Sequence, residues 1–193
     1  RFGINTKRPK ISQWLNYHIN ADIMQHEIKQ ATTYNRTTGV TTWQPRNIEG
    51  NWWVSGLVSF GRALDKDKRW NLATNSRYTF AHSTDFNTDA IELEPQTSLV
   101  LTHRINQDFK ISYGKNKFRV EVNGRLRWNY GTSDREDFQR LNYIDQAYGI
   151  TLMTPLVWGI DLDTDLLVNV RSGYNDPSMN TTEWQWNAAL STR

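Results

Sequence analysis

From Phe118 to Tyr130 the chain alternates without a break. Phe118, Val120, Val122, Gly124, Leu126, Trp128 and Tyr130 take the even positions, and Arg119, Glu121, Asn123, Arg125, Arg127 and Asn129 the odd ones. A β-strand sends successive side chains to opposite faces. One face of this strand is therefore apolar and the other densely charged. Such a strand needs an apolar medium on one side and a polar one on the other.

The pattern recurs along the chain. Trp158, Ile160, Leu162, Leu166, Val168 and Val170 oppose Asp161, Asp163, Asp165, Asn169 and Arg171. Leu99, Leu101, Ile105, Phe109 and Ile111 oppose Thr102, Arg104, Asn106, Asp108 and Lys110. Trp52, Val54, Val58 and Phe60 oppose Ser55, Ser59 and Gly61, with Trp53 and Leu57 breaking the rule. Trp184, Trp186, Ala188 and Leu190 oppose Gln185, Asn187 and Ser191. No stretch makes a convincing amphipathic helix; Gln13 to Gln30 is the one ambiguous segment. The spacing predicts about eight strands, centred near Ile23, Trp52, Thr74, Thr102, Val122, Tyr148, Leu166 and Asn187. Two of them, Val40 to Leu64 and Ile91 to Tyr113, read as unusually tall.

The connections alternate as well. Asp65 to Lys68, Lys115 to Lys117 and Thr154 to Leu156 read as tight turns. Ser83 to Ala90, Gly131 to Gln139 and Gly173 to Thr182 read as long polar loops, and Asn35 to Gly39 as a hairpin tip on the loop side. Short connections at one end and long ones at the other are the layout of an outer-membrane barrel. Aromatic residues supply a ruler. Trp70, Phe118 and Trp158 each follow a tight turn almost at once, and Phe80, Trp128 and Tyr130 sit about ten residues further on, close to the length of a tilted membrane strand. Rings of this kind gather at the two interfaces of a bilayer. Trp70, Phe118, Trp128, Tyr130 and Trp158 are accordingly the candidate interface aromatics.

Composition agrees with a strand that has one apolar face. Hydrophobic residues are 37% of the chain, below the roughly 45–50% of an ordinary globular domain. Aromatics are nonetheless 12%, with nine Trp, which argues against disorder. With 23 basic and 20 acidic residues, the charge is too even to point to nucleic acid. Absence of cysteine excludes disulfides and thiol chemistry. No apolar run approaches the length of a membrane helix, and the opening Arg-Phe-Gly is not a signal peptide, so the expectation is a processed or excised piece of an exported protein.

Two stretches resemble a known family. Thr33-Tyr34-Asn35, Thr38-Gly39-Val40 and Asn47-Ile48-Glu49-Gly50-Asn51-Trp52 form the first. The second runs through Leu156-Val157-Trp158-Gly159-Ile160, Thr164-Asp165-Leu166, Ser172-Gly173-Tyr174-Asn175-Asp176 and Met179-Asn180-Thr181 to Trp186-Asn187-Ala188. From about Asp22 onward the chain resembles the C-terminal barrel portion of the TonB-dependent-receptor-like outer-membrane proteins common in Bacteroidetes. The resemblance implies a barrel of about twenty-two strands with a plug domain, energised through TonB. Neither a plug nor a TonB-contacting segment is recognisable in this chain, so those partners would belong to the parent protein. The expected fold class is thus an all-β, antiparallel up-and-down transmembrane β-barrel segment spanning residues 1–193, in the bacterial outer membrane. Outer-membrane lipid would cover one face, and the rest of the barrel or a second copy would cover the strand edges.

Candidate functional residues follow from the polar face. Arg119, Glu121, Arg125, Arg127, Asp161, Asp163 and Asp165 are expected to face the lumen. The Asp161-x-Asp163-x-Asp165 column lacks the Gly and the Glu of a calcium loop, since Leu166 and Ser172 occupy those positions. It reads as a ladder paired with bases. The Arg119, Arg125 and Arg127 column reads as structural pairing with carboxylates, or as a path for anions. Replacing Arg125 with Leu is expected to destabilise more than replacing Lys66 in its turn. His18, His26, His82 and His103 lack metal-ligand spacing, and no nucleophile, phosphate-loop or dinucleotide motif occurs. The expectation is no enzyme, no cofactor and no metal. Two alternatives stay open: a soluble carbohydrate-binding β-protein using exposed Trp, and a complete eight-stranded barrel serving as anchor or adhesin.

Overall fold

The computed structural model describes residues 1–35, 37–86 and 97–192. It is all-β and antiparallel. The strands are β1 (Phe2–Arg8), β2 (Gln13–Met24), β3 (Glu27–Asn35), β4 (Val40–Ile48), β5 (Asn51–Ala63), β6 (Trp70–Phe86), β7 (Thr97–Lys115), β8 (Phe118–Ser133), β9 (Leu141–Pro155), β10 (Ile160–Ser172) and β11 (Thr182–Thr192). Nine of them form one sheet in the order β1-β2-β5-β6-β7-β8-β9-β10-β11, and β3-β4 form a hairpin of their own. β1 pairs with β2 and β11 with β10; they do not pair with each other, and the sheet is open. A closed eight-stranded barrel is therefore not what this chain forms. The count of about eight also needs correcting: β1, too short and polar to stand out by alternation, joins the sheet, and the strand centred near Ile23 and the long Val40–Leu64 strand are each two.

The break in that strand has a local cause. β2 and β5 are one hairpin arm pair up to Met24 opposite Asn51, and β3-β4 resume with Glu27 opposite Ile48. Between them His26 and Gly50 take left-handed backbone, at φ 56° and 91°. A Cβ on Gly50 would also lie 3.2 Å from Thr84 Oγ1. The ladder cannot run through two such residues. The outer hairpin is fastened to β6 instead: Lys29 Nζ donates to Thr84 O at 3.1 Å and lies 3.3 Å from Asp85 Oδ2. Asn51 bridges Glu27 and the Thr84 N–H. At the hairpin tip Asn35 Oδ1 accepts from the N–H groups of Thr37 and Thr38.

The short–long order of connections holds in the register. Trp70 faces Tyr113, Lys115 faces Phe118 and Asp161 faces Pro155 at one end. Phe86 faces Thr97, Val100 faces Ser133 and Ser172 faces Ile144 at the other. The turn after β5 is closed by Asp65, whose Oδ1 accepts from Trp70 N–H at 2.8 Å. The turn after β9 lies later than its sequence suggested. Thr154 and Pro155 belong to β9, and Trp158-Gly159 form the tip, at φ 57° and 72°. Pro155 is tolerated because the β8–β9 ladder has already ended at Arg119–Met153. Strands also extend into the predicted loops: β6 reaches Phe86 and β8 reaches Ser133. Residues 87–96, which include the rest of the Ser83–Ala90 loop and the start of the predicted Ile91–Tyr113 strand, lie outside the described residues.

Almost nothing in this sheet is buried. Among the described residues the buried apolar side chains are Ala31, Ile48 and Ala63, and no large side chain is fully enclosed. The chain exposes 13477 Å², whereas a folded globular chain of its mass exposes about 9,500 Å². The excess is the signature of a single sheet whose apolar face has no second layer.

Candidate functional site: the two faces of the sheet

Cross-strand rows show how cleanly the faces separate. Leu72, Ile111, Val122, Ile150, Leu166 and Trp186 lie in one row across β6 to β11. Two residues along, Leu15, Phe60, Thr74, Phe109, Gly124, Tyr148, Val168 and Trp184 form another. Phe109 lies across Gly124, where a Cβ would come within 2.2 Å of its ring. An aromatic ring over a cross-strand glycine fills the gap that the glycine leaves. These rows belong to the uncovered face: Trp184 and Trp186 are 69% and 72% exposed.

That face is not wholly apolar. Thr74, Ser76 and Gln107 sit within it, and they satisfy one another. Ser76 Oγ donates to Gln107 Oε1, and Gln107 Nε2 donates to Thr74 Oγ1 at 2.7 Å. Tyr148 OH likewise donates to Gln146 Oε1 at 2.6 Å.

The aromatic residues gather at two levels. At the turn end Trp70 and Tyr113 have ring centroids 4.8 Å apart, and Tyr113 and Phe118 6.0 Å. At the loop end Trp52 meets Phe80 at 5.3 Å, Phe80 meets His103 at 4.8 Å, His103 meets Tyr130 at 5.9 Å and Trp128 meets Tyr130 at 5.8 Å. Trp70 to Phe80 and Phe118 to Trp128 are ten-residue intervals, about 33 Å along a strand. A tilt of about 40° converts that to roughly 25 Å of height, the height of the apolar band of a transmembrane barrel. Trp158 does not belong to the turn-end cluster. It stands on the β9–β10 turn tip, 92% exposed, because the turn falls at Trp158 itself and not before it.

All seven of the polar-face candidates share one side. Glu121, Thr151 and Asp165 lie in one row, Arg119, Met153 and Asp163 in the next, and Asp161 follows opposite Pro155. Arg125 and Arg127 continue the column along β8. A cleft of about 570 Å³ opens on this side, bounded by side chains from Trp14 on β2 to Asn169 on β10. A hollow reached from strands that far apart marks the polar face as the concave one. Pairing is only partly as the sequence suggests. Arg125 Nε donates to Asp108 Oδ1 at 2.9 Å, and Glu121 lies 2.7 Å from Lys110 Nζ and 3.3 Å from Arg119. β9 stands between the aspartate column and the β8 arginines, and Asp165 accepts from Asn187 Nδ2 at 3.0 Å.

A second polar-face cleft, about 610 Å³, is lined by Arg77, Arg104, Arg127, Tyr143 and Asp145 among others. Of its lining residues Arg125 and Arg127 are sequence candidates. Arg104 could be assigned to the polar set by parity, but its convergence with Arg77 and Arg127 depends on the β6–β7–β8 register. Above this cleft the β10–β11 loop folds inward. Tyr174 stacks on Tyr143 with centroids 4.3 Å apart, and its hydroxyl donates to Asp145 Oδ1 at 2.7 Å. Burial pushes the Tyr174 phenol up to about 12, and the hydrogen bond to Asp145 adds to the rise. In the same loop Asp176 accepts from Ser178 Oγ and N–H, which holds its carboxyl below the usual range. In the β8–β9 loop the Arg135 hydrogen bonds lower the Asp137 carboxyl in the same way.

Compared with known proteins, the chain matches no family model, no curated protein and no solved structure.

Proposed function

We propose that the chain forms part of the wall and outer loops of an outer-membrane β-barrel of the TonB-dependent-receptor-like kind, and so contributes to ligand uptake or binding. Its polar face, with Arg119, Glu121, Arg125, Arg127, Asp161, Asp163 and Asp165, lines the lumen. Its apolar face meets lipid, with Trp70, Phe118, Trp128 and Tyr130 at the interfaces. Further strands of the barrel, or a second copy, cover the β1 and β11 edges. Plug and TonB coupling belong to the whole protein.

The observation that carries this reading is the uncovered apolar face of a tall, open, concave sheet. A patch of that extent on a soluble protein recruits a partner or aggregates. The aromatic levels match a bilayer's height, and the short turns all lie at one end. The exposed tryptophans favour lipid over sugar. Trp184 and Trp186 stand beside Val168 and Leu166, and the Trp186 ring N–H is already taken by Thr164 Oγ1 at 2.9 Å. Vesicle flotation of the refolded chain tests the reading. The chain is expected to float with the lipid and to resist alkaline extraction. Recovery as a soluble monomer without detergent would refute it.

A further inference from the structure

Four guanidinium groups line the 610 Å³ cleft, and three of them have no ion-pair or hydrogen-bond partner among the described residues. Arg77 on β6, Asn106 on β7 and Arg127 on β8 lie in one register row. Arg104 lies two residues along β7, diagonal to both arginines, so its strand position is about 7–8 Å from each of theirs. Among the described residues Arg77, Arg104 and Arg127 make no ion pair or hydrogen bond, whereas Arg125 beside them is bridged to Asp108. Both carboxylates of the cleft are engaged elsewhere. Asp108 is held by Arg125, and Asp145, which the register sets opposite Arg127, accepts from Tyr174. Like charges gathered in one cleft repel, even where water partly screens them. A counter-anion would relieve that repulsion.

We propose that the Arg77–Arg104–Arg127 cleft binds a small oxyanion with two or more negative charges, of the carboxylate or phosphate class. A guanidinium fork matches the paired oxygens of either group. Asn106, Asn129 and Tyr143 in the same lining add neutral donors. The volume suits a small-molecule ligand, for which clefts run about 300–1,000 Å³. Tyr174 has a defined part: by engaging Asp145 it holds that carboxylate out of a direct ion pair with Arg127. The site depends on the polar-face register and not on what covers the other face. Failure to float with lipid and failure to bind an anion are therefore separate results.

Calorimetric titration of the full chain in non-ionic micelles tests the site, with pyrophosphate and citrate as probes at physiological chloride. Saturable one-to-one binding is expected. Preference for pyrophosphate assigns the phosphate class, and preference for citrate the carboxylate class. Arg104→Gln and Arg127→Gln are each expected to weaken binding at least about tenfold, the loss of one charge-assisted bond. Arg119→Gln, whose arginine is cationic on the same face but already bridged to Glu121, is expected to leave affinity unchanged. Circular dichroism confirms that each variant keeps its strands. Should the arginine variants unfold, Tyr174→Phe carries the test, since releasing Asp145 toward Arg127 is expected to weaken binding. Absence of saturable binding, unchanged affinity in the folded variants, or an equal loss in Arg119→Gln overturns the proposal.

Discussion

Arg125 and Asp108 make a direct cross-strand ion pair, yet their side chains are 56% and 44% exposed. Water screens such a pair, so it contributes less than about 1 kcal/mol. The expectation that Arg125→Leu destabilises more than a change at Lys66 rests on a buried pair, and this pair is half-exposed. For the isolated chain both variants should melt within a degree or two of wild type. The cost of about 3–5 kcal/mol for breaking a buried pair applies only once that face is closed off from water. Gly173 carries more than either charge. At φ 81°, with Asn142 O 2.4 Å from where a Cβ would lie, Gly173→Ala faces strain of roughly 1–2 kcal/mol together with a backbone clash. Its denaturation midpoint should fall, and the loop holding Tyr174 should loosen. Tyr174 itself gives a pH signature. Its folded-state pKa is raised from 10.0 to about 12. The stability it adds is therefore complete below pH 10 and lost as pH rises toward 12. A tyrosinate absorbance titration should show one late-ionising group that Tyr174→Phe removes; identical curves for the two proteins would contradict the Asp145 contact.

At the scale of strands, alternation made most of the architecture legible in advance. β8 and β10 show it almost without exception, so their facing followed directly. Facing could not be read where local backbone overrides periodicity. His26 and Gly50 split an apparently continuous strand by adopting left-handed backbone, which alternation does not report. Trp158 kept strand parity while occupying a turn, because its neighbour Gly159 permits a two-residue tip. Convergence across strands was also hidden: parity assigns Arg104 to a face, but only register sets it beside Arg77 and Arg127. The polar trio on the apolar face is a further case. Thr74, Ser76 and Gln107 interrupt the pattern, and against lipid they would be tolerable only because they bond to one another. Gln107→Ala should therefore destabilise the inserted protein by about 1–3 kcal/mol, measured by urea unfolding in vesicles. Equal stability would mean that water, not lipid, reaches these groups.

For the molecule as a whole, the governing fact is a sheet with one covered face too few and two unpaired edges. β1 and β11 are exposed along their entire lengths, and unpaired edges recruit strands. Without lipid the chain should self-associate. In a membrane its two faces should differ sharply, and a single-cysteine scan measures that difference most directly, since the chain has no cysteine of its own. Cysteines placed one at a time from Arg119 to Trp128 would carry an environment-sensitive fluorophore in phospholipid vesicles. A period of two is expected, with Val120, Val122, Leu126 and Trp128 positions in a dry, lipid-quenched environment and Arg119, Glu121, Arg125 and Arg127 positions hydrated. Equal hydration along the whole strand, or quenching by lipid at the arginine positions, would contradict a lipid-facing apolar surface.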